Sequence, residues 1–250
     1  MIRNISFAIA GIGIVSALAI WDNFNTSSPD PVASIDPARL VPNWDAISSW
    51  PSGVQDEGAA QAKPDPKLVT TVIILDDSGS MGGQMGAAKD AVVEAVGQMT
   101  PESRVGVIAL NAGMVTPVSA ASDAAVSLPA RLDPIIAEGG TPLGARLGDA
   151  LAILGAEARQ SRGFGIFRIL VTTDGAATDE FMLQDRVAEI VSTTPIELAT
   201  IGLGIGEGHA LNVPGYTSYV SIDSVDQLAS ALREAAAEQT VFQPITKFED

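Results

Sequence analysis

From Leu68 onward, short apolar runs rich in β-branched residues alternate with stretches whose apolar residues recur every three or four positions. The runs at Val69–Asp76, Arg104–Leu110, Phe167–Thr173, Ile196–Gly202 and Ser218–Ile222 predict strands, with a weaker one near Met114–Val118. Their unbroken apolar character fits strands covered on both faces, as in a parallel sheet. Between them, Leu143, Leu147, Leu151 and Leu154 fall on one helical face, as do Val225, Leu228 and Leu232. Ala87, Ala88, Ala91 and Ala95 give an earlier helix a small-residue face that can approach a sheet closely. This alternation predicts an α/β fold: a doubly wound, mostly parallel open sheet of about six strands with helices on both faces. No internal repeat is visible.

The start of the chain follows another pattern. Arg3 precedes Ile5–Trp21, a run without a single charge, and Asp22 follows it. Such a run at the beginning of a chain reads as a secretory signal or a short membrane anchor. Ala17-Leu18-Ala19 fits a cleavage site, but Ile20 and Trp21 prolong the apolar run, and Trp21 suits a membrane–water boundary, which favours an uncleaved anchor. The charge asymmetry places the remainder outside the cytoplasm, at the inner membrane of a bacterial cell envelope, or secreted if the segment is cut. Residues 22–67 are rich in Pro, Ser, Asp and Ala and read as an extended linker. Within it Trp44 and Trp50 stand out, and docking on the domain is the expectation for both. The organisation is therefore 1–21 anchor or signal, 22–67 linker, 68–240 domain and 241–250 tail.

A formal charge of −16 argues against nucleic acid, because no basic stripe faces phosphates. Without cysteine there is neither a disulfide nor a thiolate ligand or nucleophile, and the single histidine, His209, leaves little for a His-centred site.

Ligands of open α/β sheets bind outside the carboxyl ends of strands, so polar residues just after strands carry the most information. After the first strand come Asp76, Asp77, Ser78, Gly79 and Ser80; after "FRILVTT" comes Asp174-Gly175; and "EGGTPLGARL" puts Thr141 at the start of a helix. Asp76, Ser78, Ser80, Thr141 and Asp174 are five oxygen donors, with no nitrogen or sulfur among them. Hard donors of this kind suit Mg²⁺ or Mn²⁺, and Ca²⁺ less well. Three of the five are neutral hydroxyls, which leaves a cation partly unneutralised and open to an outside carboxylate. Alone, each motif has a plainer reading: Ser78 or Ser80 as a helix N-cap, Thr141 as a cap before Pro142, "TTDG" as a turn. An EF-hand is excluded, since Met81 stands where the loop needs Gly and Ala87 where it needs an acid.

Taken together, "DDSGSM", "GGTPLG" and "TTDG", in this order and strand-helix context, resemble the von Willebrand factor A family and its metal-ion-dependent adhesion site. The resemblance covers roughly residues 68–239. It implies that Ser78 and Ser80 bind the metal directly. Thr141 would do so in the ligand-engaged state, and Asp76 and Asp174 directly or through water. It also implies that the first and fourth strands lie side by side where the strand order reverses. Asp77 falls outside the pattern and reads as a solvent-facing or supporting residue, His209 as a loop residue, and Gly202–Gly206 as a turn.

The expected function is a non-enzymatic, membrane-tethered binding module whose metal accepts a Glu or Asp side chain from another protein. Two alternatives belong to other classes. One is a metal-dependent hydrolase, for which Asp77 is the only nearby base. The other is a constitutive structural subunit of a membrane complex.

Overall fold

The computed structural model describes residues 35–51 and 65–237. The apolar run Ile5–Trp21 and the tail 241–250 lie outside these residues. Among the described residues no helix is long and apolar enough to cross a membrane.

Six strands form one sheet: β1 (Val69–Leu75), β2 (Arg104–Ala109), β3 (Gly113–Ala120), β4 (Ile166–Thr173), β5 (Glu197–Leu203) and β6 (Ser218–Ile222). Their order is β3-β2-β1-β4-β5-β6, with every pairing parallel except the antiparallel β2–β3 edge. β1 sits centrally because its side chains are apolar on both faces. Ile73 and Leu75 point into one core, and Val72 and Ile74 into the other, the period-two alternation that a strand imposes.

Helices cover both faces. On the Ile73 side lie α2 (Met85–Gly97), α3 (Ala121–Leu132) and α6 (Leu228–Ala237); on the Val72 side lie α4 (Leu143–Gln160) and α5 (Glu180–Thr193). Leu143, Leu147 and Leu154 are fully buried at the α4–sheet interface, and each contributes about 2 kcal/mol of transfer free energy. Ala88, Ala91 and Ala95 are buried on α2 together with Met85, Val92 and Val96, and the alanines' short side chains let the helix lie close to the sheet.

The linker expectation needs correction for residues 35–51. Pro37–Leu40 forms a 3-10 turn, capped by the Asp36 carboxylate, and Trp44–Ser48 forms the short helix α1, capped by Asn43. Ile35 and Leu40 are buried in the α4–α5 core, the Asn43 amide donates to Ser192 O at 2.8 Å, and Trp50 meets Phe167 edge-on at 5.1 Å. A Pro/Asp-rich composition hid these few apolar anchors. Only one tryptophan docks as expected, since Trp44 remains 72% exposed.

With β1 and β4 adjacent, chain crossovers leave in opposite directions from their carboxyl ends. The polar loops after these two strands therefore open side by side.

Candidate functional site

The loop after β1 turns sharply from buried strand to exposed rim. Asp76, Asp77 and Ser78 are buried, and Ser80 is exposed. Asp76 Oδ1 accepts the Ser78 amide at 2.8 Å, folding the loop back on its own carboxylate. Its Oδ2 accepts Thr173 Oγ1 at 2.8 Å and the Asp174 amide at 3.3 Å, joining the β1 and β4 loops. Ser78 Oγ and Ser80 Oγ are 3.0 Å apart, and Ser80 Oγ donates to Asp174 Oδ1 at 2.7 Å. A hydroxyl has one proton, so Ser80 spends its own on Asp174 and Ser78 is the donor to Ser80.

Four of the five donors are thus linked by hydrogen bonds. Thr141, also buried, reaches them through the main chain. The Gly79 amide donates to Gly139 O at 3.1 Å, and Asn111 Nδ2 donates to Gly140 O at 2.9 Å. Gly139 has φ +75°, and a Cβ there would lie 2.4 Å from Asn111 Oδ1, so the loop can pass Asn111 only as glycine.

The plainer capping readings do not hold. Ser78 precedes the 3-10 turn Gly79–Gly83 but makes no side-chain cap bond, and neither does the residue at the head of α4. That helix begins after Pro142, and its first free amides, Gly144 and Ala145, donate instead to Asp179 Oδ1 (3.0 Å) and Oδ2 (2.8 Å). The hydroxyls at 78, 80 and 141 are left for other work.

Asp77 is not solvent-facing. It is buried, and its carboxylate accepts the Asn111 amide (2.7 Å), Asn111 Nδ2 (3.2 Å) and the Ala112 amide (3.0 Å). It supports the rim by holding the β2 loop. Sequence reading passed over Asn111 and Asp179, although both sit just beyond a strand or before a helix, the positions that marked the other residues. His209 joins the rim as well: its Nδ1 accepts the Leu211 amide at 3.2 Å, which leaves Nε2–H to donate to Gly175 O at 3.2 Å beside Asp174.

Electrostatically the rim is acidic. Among the described residues no Lys or Arg forms an ion pair with Asp76, Asp77 or Asp174. Burial, and then the neighbouring Asp76 charge, push the Asp174 carboxyl above its ordinary value, against the opposing hydrogen bond from Ser80. Burial holds the His209 ring below its ordinary value, in keeping with a neutral imidazole that both accepts and donates. Among the described residues no group of three or more His, Cys, Asp or Glu side chains gathers as a metal-binding cluster, at the rim or away from it; three of the five rim donors are hydroxyls.

The spacing of the rim oxygens suits a small cation. Adjacent ligands of an octahedral ion bound at about 2.1 Å stand about 3 Å apart, close to the 3.0 and 2.7 Å separations in the Ser78–Ser80–Asp174 row. The residues therefore offer an oxygen-only donor set of the kind a divalent cation takes.

Comparison with known proteins adds the family. No curated protein matches the chain. Solved structures do share the fold. The von Willebrand factor type A protein from Catenulispora acidiphila is 22% identical at a TM-score of 0.56, over 68% of this chain and 42% of that one. The pilus adhesin SpaC from Lactobacillus rhamnosus GG is 15% identical at 0.53, over 70% and 30%. The SpRpn10 VWA domain is 18% identical at 0.51, over 66% and 94%. The match thus spans less than half of the first two of these proteins. Residues 71–176 match the family model of the von Willebrand factor type A domain. That stretch runs from β1 to the loop bearing Asp174, and over it the chain is similar to a von Willebrand factor type A domain, whose fold the solved structures share.

Proposed function

We propose that the rim binds a divalent cation, Mg²⁺ or Mn²⁺, through Ser78, Ser80, Thr141, Asp174 and Asp76, and that the bound cation engages a Glu or Asp side chain of a partner protein. The observation that carries this reading is the row of hydroxyl and carboxylate oxygens spaced at 3.0 and 2.7 Å, none of it consumed by helix capping. The donor set supplies two carboxylates and three neutral hydroxyls. A dication held there keeps an affinity for one further anion. Asp76 already accepts three donors from the protein, so it acts best by fixing Ser78 and Asp174 and by contributing negative field.

The reading is non-enzymatic. The base required by a hydrolase would be Asp77, whose two oxygens are turned away into three N–H donors of the β2 loop. The pattern of Arg3 and the uncharged run Ile5–Trp21 supports tethering of the domain on the outer side of a bacterial inner membrane, and likeness to the von Willebrand factor type A domain supports a protein partner.

Titration calorimetry of Mn²⁺ and Mg²⁺ into the full chain tests the site, with and without a short acidic peptide. Saturable binding that the peptide tightens and Ser78→Ala/Ser80→Ala removes is expected. A folded chain that takes up neither ion would end the metal reading.

A further inference from the structure

Asp179 occupies the position ahead of α5, yet it makes no side-chain cap bond to its own helix. Its carboxylate instead reaches across to α4, where Oδ1 accepts the Gly144 amide at 3.0 Å and Oδ2 the Ala145 amide at 2.8 Å. The head of α4 has no side-chain cap of its own, so these two amides depend on a residue from another loop. One residue earlier, the Thr178 amide donates to Thr141 O at 2.9 Å. Three bonds thus clasp residues 141–145 to residues 178–179. The first of these segments opens with Thr141, and the second continues directly from Asp174.

The clasp is tight as well as polar. A Cβ at Gly140 would come within 3.1 Å of Thr178, and one at Gly144 within 2.4 Å of the Leu183 amide nitrogen. A carboxylate is also well placed at the positive end of α4. The two segments are distant in sequence, and this clasp joins them at the rim end of the α4–α5 packing.

We propose that Asp179 is a positioning residue for the cation site, holding Thr141 at bonding distance from the metal by fixing the Thr141 and Asp174 loops to one another. This rests on the metal reading given above. A site that must converge on a small ion loses affinity when one donor drifts by an ångström, and Asp179 limits that drift without touching the ion.

The test uses the full chain and Mn²⁺ alone, by calorimetry, alongside thermal melting in chelator. Asp179→Ala is expected to weaken Mn²⁺ binding about tenfold or more. Asp179→Asn keeps one acceptor oxygen and should fall between it and wild type. Leu154→Ala, buried in α4 far from the rim, controls for lost stability: it should lower the midpoint at least as much while leaving Mn²⁺ affinity within about twofold. Asp179→Ala binding Mn²⁺ as wild type does would overturn the proposal, and so would an equal loss in Leu154→Ala. If Asp179→Ala fails to fold, wild-type affinity in Asp179→Asn with a lowered midpoint would overturn it as well. A wild-type chain that binds no Mn²⁺ would overturn the metal reading and this one with it.

Discussion

At the amino-terminal ends of the strands, Arg168 is buried, donates Nε and Nη2 to Glu197 at 2.9 and 2.8 Å, and gives Nη1 to Ala236 O. Nearby Arg104 pairs with Glu157 at 2.8 Å. At the carboxyl ends of the same strands, Asp76 and Asp174 share a rim with hydroxyls, and no basic side chain pairs with either among the described residues. One end of the sheet neutralises its charge internally. The other leaves negative charge in place and arranges oxygens around it. Stability belongs to the first arrangement, and the capacity to take up a cation belongs to the second.

The sharpest way to test this contrast is to break the closed end. Glu197→Ala removes the carboxylate that accepts two donors of the buried Arg168 guanidinium, which should cost about 3 kcal/mol in chemical denaturation while Mn²⁺ affinity stays unchanged. Loss of Mn²⁺ binding in a folded Glu197→Ala chain would deny that the two ends are independent.

Next comes the scaffold of the open end. Gly144→Ala drives a methyl against the Leu183 backbone at 2.4 Å, and overpacking of this kind costs about 2 kcal/mol. Here stability and Mn²⁺ affinity should fall together, because α4 and α5 must move apart where they hold Thr141.

Smaller still in stability is Ser78→Ala/Ser80→Ala. Removing the Ser78–Ser80 and Ser80–Asp174 hydrogen bonds, made by one buried and one exposed hydroxyl, should change the unfolding free energy in chelator by about 1 kcal/mol. The increase in melting temperature that Mn²⁺ gives the wild-type chain should disappear altogether.

The smallest effect is a pH dependence at the rim. The His209 ring titrates below its unfolded value of 6.5, so its contribution is present above that pH and is lost as pH falls toward the folded value. As the pH is lowered from about 7 to about 5.5, the wild-type chain should lose stability, and His209→Gln should lose less. Parallel curves for the two chains would show that the buried ring is not responsible.

Much of the fold was legible because periodicity is local. The runs at residues 69–76, 104–110, 167–173 and 218–222 alternate with leucines spaced for helices, and each became the strand or helix that its own neighbours dictate. The polar residues after the first and fourth strands were legible for a related reason: carboxylates and hydroxyls directly after an apolar run stand at the carboxyl end of a strand, where open α/β sheets bind ligands. The strap at 35–51 was not legible. Ile35, Leu40 and Trp50 are three anchors in a proline-rich stretch, too sparse to give a period, and their burial depends on a surface supplied by α4, α5 and Phe167.

By itself, then, the sequence determined the element types, the parallel layering and the chemistry of the donor set, since these follow from residue type and spacing along a few turns of chain. Only the tertiary structure decided which groups those donors meet. It turned Asp77 into a clamp on the β2 loop, gave the head of α4 to Asp179 rather than Thr141, and set the oxygens of Ser78, Ser80 and Asp174 in one row. Hydrogen bonds select partners by distance and direction across space, and residues 35 or 94 positions apart carry no local signal that they will meet.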